Sequence, residues 1–326
     1  MESYSEKIIR WASQDGGNEY VSINTLLEYL GSNLYHDYEP SFGPYPDYYS
    51  RLKTWVENLP TDLEQQTLLK LAQHIFYVGR EEFNSLYRSA FNTHIIRWLI
   101  EQELTSIDDL DSIKKIKSAI SKCWFCPVTD SLRINQFYHI NQITEAHHEY
   151  RPDWRSLRKF GDCEKIKKYI ADNKIKYIVL LEDFVGSATQ SWKPLKFASE
   201  LSDDLKVLFI PLVICPVGIE RIDKELSEKK NFFMRPVLVL SQDGFISKDA
   251  IEGESDKIAQ FRNLITTAEP FYKFKENVHK FGFEDMGCLI VMYTNTPTNS
   301  LPLIHYESID SWSPLFKRHH RAKLWM

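Results

Sequence analysis

One stretch limits the folds open to this chain more than any other: Lys174–Gln190, KIKYIVLLEDFVGSATQ. An apolar run from Tyr177 to Leu181 leads without a break into adjacent carboxylates, Glu182 and Asp183. Small residues follow, Gly186-Ser187-Ala188-Thr189. A short apolar run bounded by a turn reads as a buried strand, and the two acids then fall at its C-terminal end. Open α/β sheets collect ligands beyond the carboxyl ends of their strands. Small side chains let a ligand approach the loop closely, and loop amides with the N-terminus of a following helix can hold an anion there.

The sequence around this stretch supports a sheet. Lys165 to Asn173 has the period of an amphipathic helix, Val207 to Ile214 and Pro236 to Ser241 read as buried strands, and Ile219 to Lys229 reads as a helix between them. Cys288 to Tyr293 is one more apolar run of strand length. Strands alternating with helices predict an α/β fold with a largely parallel sheet. Upstream the pattern is helical. Helices are expected over Glu6–Ala12, over Ser22–Leu30 with Gly31 as its C-terminal cap, and over Glu82–Glu101. Thr61 and Glu64 have capping-box spacing, and apolar residues from Leu68 to Val78 predict one helix behind them. Leu110 to Ile120 continues as helix after a second capping sequence at Ser106 to Asp109. The aromatic and proline-rich segment Tyr35–Tyr49 is expected to pack down on the helices. The expected organisation is therefore an all-helical N-terminal region, residues 1–117, and an α/β domain, residues 118–326.

Charge and cysteine content narrow the function classes. A net charge of -5 excludes a chain that is basic all over and coats nucleic acid. Five cysteines give an odd count without a disulfide framework, which fits a reducing cytoplasm. Cys123-x-x-Cys126 alone has metal spacing, and with no second pair it is expected to be packed, so no metal ligands are assigned. The opening residues MESYSEK lack a signal pattern. The longest apolar run, Val207 to Ile219, is broken by Pro211 and Pro216 and is too short for a bilayer. A cytoplasmic protein with no membrane contact is expected.

The strand, acidic pair and small-residue loop resemble the phosphoribosyl diphosphate (PRPP) loop of type I phosphoribosyltransferases. The variant EDFVGSATQ is more similar to the phosphoribosyltransferase-like proteins of bacterial conflict and anti-phage defence systems, including retron-associated ones. Two further segments carry the resemblance, Cys123–Asn141 (CWFCPVTDSLRINQFYHIN) and Asn295–Arg321 (NTPTNSLPLIHYESIDSWSPLFKRHHR). The resemblance implies that Glu182 and Asp183 bind the ribose hydroxyls and stabilise positive charge on the ribose. It implies that Gly186, Ser187, Ala188, Thr189 and Gln190 hold the 5'-phosphate. Asp130, Ser131, Arg133, Asn295 and Arg318 are further candidates from the other two segments. The implied ligand is PRPP, a ribose phosphate or a nucleotide, with Mg²⁺ carried on its oxygens. The implied partners are a second protein or a complex of reverse transcriptase and non-coding RNA.

Two positions depart from the family pattern: Glu182 stands where Asp is usual, and Ala188 where Gly is usual. A left-handed conformation at Ala188 would carry strain of roughly 1–2 kcal/mol. Two functions therefore stay open, a phosphoribosyl-transferring or ribosyl-cleaving effector and a sensor or partner-binding subunit that retains the fold without transfer. A third reading, an S-adenosylmethionine-dependent methyltransferase, rests on DFVGSAT and on Asn295-Thr296-Pro297; Asp183 lacks the following proline of that motif. The cluster Lys317, Arg318, His319, His320, Arg321 and Lys323 could meet a pyrophosphate or a nucleic acid backbone.

Overall fold

The computed structural model describes residues 2–14, 16–41, 46–103, 111–143, 151–153, 163–268, 279–308 and 311–319. The capping sequence at Ser106 to Asp109, and His320, Arg321 and Lys323 of the basic cluster, lie outside the described residues. The chain forms two compact units, Met1–Arg80 with Ser241–Met326, and Glu81–Leu240. Among the described residues the strands are β1 Phe76–Val78, β2 Cys123–Pro127, β3 Tyr177–Val185, β4 Lys206–Ile214, β5 Phe232–Met234, β6 Leu238–Val239 and β7 Ile290–Met292. The fold is α/β, with helices at the N-terminus and parallel strands after them. No helix of the described residues is long and apolar enough to cross a membrane.

In the first unit, local chemistry sets the helix starts. Ser3 and Glu6 form a capping box ahead of the Tyr4–Ala12 helix, and Thr61 and Glu64 form the expected one ahead of Asp62–Ala72. Each satisfies two amides that the first helical turn leaves open. Two expectations change. The Glu19–Asn33 helix runs through Gly31, where an added Cβ would stand 2.3 Å from Cδ1 of Tyr48. That glycine serves close packing and not a helix end. The Asp62–Ala72 helix also stops short of Phe76–Val78, which forms β1 and pairs in parallel with β7 in a separate two-stranded sheet. Pairing with a distant strand overrides the helical spacing of the local apolar residues. The start of the aromatic segment packs as expected: Tyr35 and Tyr38 are buried, each with its ring centroid 5.2 Å from that of Phe316, while residues 42–45 lie outside the described residues.

The second unit holds the main sheet, in the order β2-β3-β4-β5, with β6 also against β4 and every pairing parallel. Residue 118 lies in this unit, within the Ser112–Ser121 helix. On one face Trp124, Cys126, Ile178, Leu180, Val207 and Phe209 share a core with Ile166 and Ile170, Leu195 and Ala198, and Ile222 and Leu226. Those pairs belong to the helices Cys163–Asp172, Trp192–Ser199 and Pro216–Leu226. Each large apolar side chain removed from water there contributes roughly 1.5–3 kcal/mol. Elsewhere in the unit Phe125 meets Phe91 and Phe137, and Trp98 lies edge-on to Tyr177 and Phe233. Of the expected strand Pro236–Ser241 only β6 forms, separated from β5, which lies before it along β4, for a local reason. Phe209 O and Pro211 O accept from Arg235 N and Val237 N, so position 211 faces this edge. Proline has no N–H to give the carbonyl of Arg235, and the ladder breaks there.

Candidate functional site

The two acids sit where the alternation of the central strands breaks. Core residues step two by two along β3 to Leu180 and along β4 to Phe209, then jump five places to Val185 and Ile214. An odd jump across a two-residue repeat shifts the strand's phase around Glu182 and Asp183. Both carboxylates turn to the end of β2, the neighbouring strand. Glu182 accepts from Thr129 N at 2.9 Å and from Thr129 Oγ1 at 2.5 Å. Asp183 Oδ1 accepts from Ser131 Oγ at 2.8 Å and from Phe184 N at 2.8 Å. Thr129 Oγ1 and Ser131 Oγ are 2.6 Å apart, which joins both acids in one network. Glu182 is 3% exposed and Asp183 6%, so these bonds satisfy buried polar groups. The parallel register makes this possible: Val128 N donates to Leu181 O, which brings the Thr129–Ser131 turn beside the acids.

The loop beyond β3 is arranged differently. Gly186, Ser187 and Ala188 are buried, and among the described residues their backbone N–H groups meet no acceptor. The N–H of the exposed Gln190 meets none either. Ala188 has φ +59°, the left-handed conformation that carries strain in alanine. Its carbonyl accepts from Ser191 N and Trp192 N and so starts the Trp192–Ser199 helix. Ser191 does not cap that helix with its side chain, which leaves first-turn amides on the loop side. Gly218, in the first turn of Pro216–Leu226, supports the loop from behind, since a Cβ there would stand 2.5 Å from Gly186 O. From the same helix Arg221 Nη1 donates to Thr189 Oγ1, and Ser187 Oγ lies 3.2 Å from Thr189 Oγ1. The result is a buried turn with open amides, two hydroxyls and one guanidinium, a donor set suited to an oxyanion.

Thr129 and Arg221 have no motif of their own and were not among the residues expected from sequence. Thr129 could have been found as the end of the strand paired with β3, whereas Arg221 gives no local signal. Of the other candidates, Ser131 joins the acid network, while Asp130 and Arg133 are exposed in the same turn. Asn295 and Arg318 belong to the other unit. There Asn295 Nδ2 donates to His319 O at 3.0 Å, and its Oδ1 accepts from His319 N at 3.1 Å and Thr296 N at 3.0 Å. Cys123 and Cys126 are thiols, not disulfides, in the core; burial pushes the Cys123 thiol far above its ordinary range and keeps it protonated.

A sequence model for the family described as PRTase-CE matches residues 52–318 of the 326-residue chain. The matched span contains β2, the acidic pair, the loop and Asn295. No curated protein and no solved structure matches.

Proposed function

The chain belongs to the PRTase-CE family of phosphoribosyltransferase-like proteins, and from that premise we propose that its β3 loop binds the 5'-phosphate of PRPP, a ribose phosphate or a nucleotide. The observation that carries this reading is the buried turn Gly186–Ala188, whose amides lack an acceptor among the described residues. An unpaired buried amide costs about 1–3 kcal/mol, and a bound phosphate would remove that cost at several positions together. Thr189, oriented by Arg221, and Ser187 supply hydroxyl donors. Glu182 and Asp183 would face the ribose, where negative charge stabilises an oxocarbenium-like centre as pyrophosphate departs. Thr129 and Ser131 would release donors to the ribose hydroxyls as the sugar enters. Mg²⁺ would ride on the diphosphate oxygens and supply charge neutralisation there. The biological role proposed is a defence effector that spends a nucleotide or PRPP on infection.

A second reading, a sensor or partner-binding subunit that keeps the ligand and not the transfer, draws on two observations. Both acids are already buried and hydrogen-bonded, and Ala188 holds the loop in a strained conformation. One experiment separates the readings. Thermal unfolding is followed with Mg²⁺ plus PRPP, with nucleoside monophosphates, with S-adenosylmethionine and with buffer alone. A ligand that binds the native state raises the midpoint by mass action. A selective rise with PRPP that falls away in Asp183→Asn, together with released pyrophosphate, supports transfer. A rise with no pyrophosphate supports the sensor. No rise with any ribose phosphate defeats both.

A further inference from the structure

The unit made of Met1–Arg80 and Ser241–Met326 has an open cavity of about 560 Å³, lined in part by Tyr35, Ser41, Tyr48, Tyr49 and Arg51. That volume is within the range of small-molecule sites. Arg51 is 8% exposed, and its Nε and Nη1 are buried with no hydrogen-bond partner. It forms no ion pair among the described residues and lies over the faces of Tyr48 and Phe316, 5.9 Å from each ring centroid. The hydroxyls of Tyr48 and Ser41, which line the same cavity, are also buried without a partner. Burial raises the Tyr48 pKa well above its ordinary value, so its hydroxyl remains a donor. Two carboxylates line the cavity as well, Asp47 and Glu28, but both are exposed and engaged. Asp47 caps the Tyr48–Glu57 helix through Ser50 N at 3.0 Å, and Glu28 accepts from Asn24 at 2.9 Å. Positive charge thus lies deep and negative charge near solvent.

Two buried guanidinium nitrogens and two buried hydroxyls with no acceptor among the described residues are expensive, and one acceptor-rich group could satisfy them together. We infer that this cavity binds a small ligand through an oxyanion, a phosphate or a carboxylate, held by Arg51, Tyr48 and Ser41, with the rest of the ligand against Tyr35 and Tyr49. The inference does not rest on the loop beyond β3. The test is the Arg51 Nε–H signal in ¹H–¹⁵N spectra of the full chain, identified by its absence in Arg51→Met, or in Arg51→Lys if the first variant folds poorly. Inorganic phosphate in one titration and citrate in another are expected to move the signal saturably, and the tighter of the two assigns the oxyanion. Tyr48→Phe should raise the concentration needed by about tenfold, the loss of one hydrogen bond to a charged group. Asp183→Asn should leave the response unchanged, which separates this site from the β3 loop. A signal that moves with neither anion, or that moves equally well in Tyr48→Phe, overturns the inference.

Discussion

Two polar turns in this chain have similar compositions and opposite constructions. Gly186–Gln190 and Asn295–Thr298 are both short and rich in hydroxyl and amide side chains. At the second, the side chain of Asn295 closes on the backbone at three points, and Tyr38 Oη bonds Thr296 Oγ1 and Lys317 O, each at 2.8 Å. The polar groups are spent on holding the segment through His319 in place. At the first, the side chains form a network while the buried amides of Gly186, Ser187 and Ala188 stay open among the described residues. A closed hydrogen-bond account marks a clip, whereas an open one marks a place prepared for something else. Composition alone does not separate the two.

The largest effect should come from the support behind the open turn. Gly218→Ala sets a methyl 2.5 Å from the Gly186 carbonyl and 3.3 Å from Ile214 Cγ1 and Val185 Cγ1. Backbone cannot yield as a flexible side chain can, so a cost of about 2–3 kcal/mol is expected, read as a lower urea midpoint at constant slope. The ligand response of the loop should fall with it. A variant of unchanged midpoint would show that the turn is not held against this helix. The clip gives the contrasting result. Asn295→Ala removes three bonds from a partly exposed site and should cost about 1 kcal/mol, with the response to PRPP intact. A loss of that response without a loss of stability would make Asn295 a ligand contact and end the contrast.

How much of this was legible beforehand follows from the distance along the chain over which each feature is decided. The strand Tyr177–Val185, the acids at its end and the loop are set by adjacent residues, and the periodicity around them marked a parallel sheet. Thr129 was not legible as a partner of Glu182, because that contact depends on the register of β2 against β3. Arg221 reaches Thr189 only after β4 and a helix have brought the chain back. Gly31 reads as a helix end for a related reason: a helix-ending glycine and a glycine that admits a tyrosine ring look the same until the neighbouring helix is in place. Phe76–Val78 keeps helical spacing with the residues before it, and only pairing with β7 makes it a strand.

The smallest expected effect tests the open turn most finely. Ala188 sits at φ +59°, where a Cβ crowds the backbone by roughly 1–2 kcal/mol that glycine would avoid. Glycine also loosens the unfolded chain, which costs about 0.4–1 kcal/mol against the folded state. Ala188 is buried, so removal of its methyl takes away some packing as well. The difference leaves Ala188→Gly near neutral or more stable by about 0.5 kcal/mol, small enough that urea midpoints must be compared at matched slope. The sign distinguishes two accounts of the strain. A gain in stability means that the loop imposes the left-handed conformation on alanine, as an amide cradle kept for a ligand would do. A loss of more than about 1 kcal/mol means that the methyl is a core contact first, and that the turn takes its shape from packing and not from what it holds.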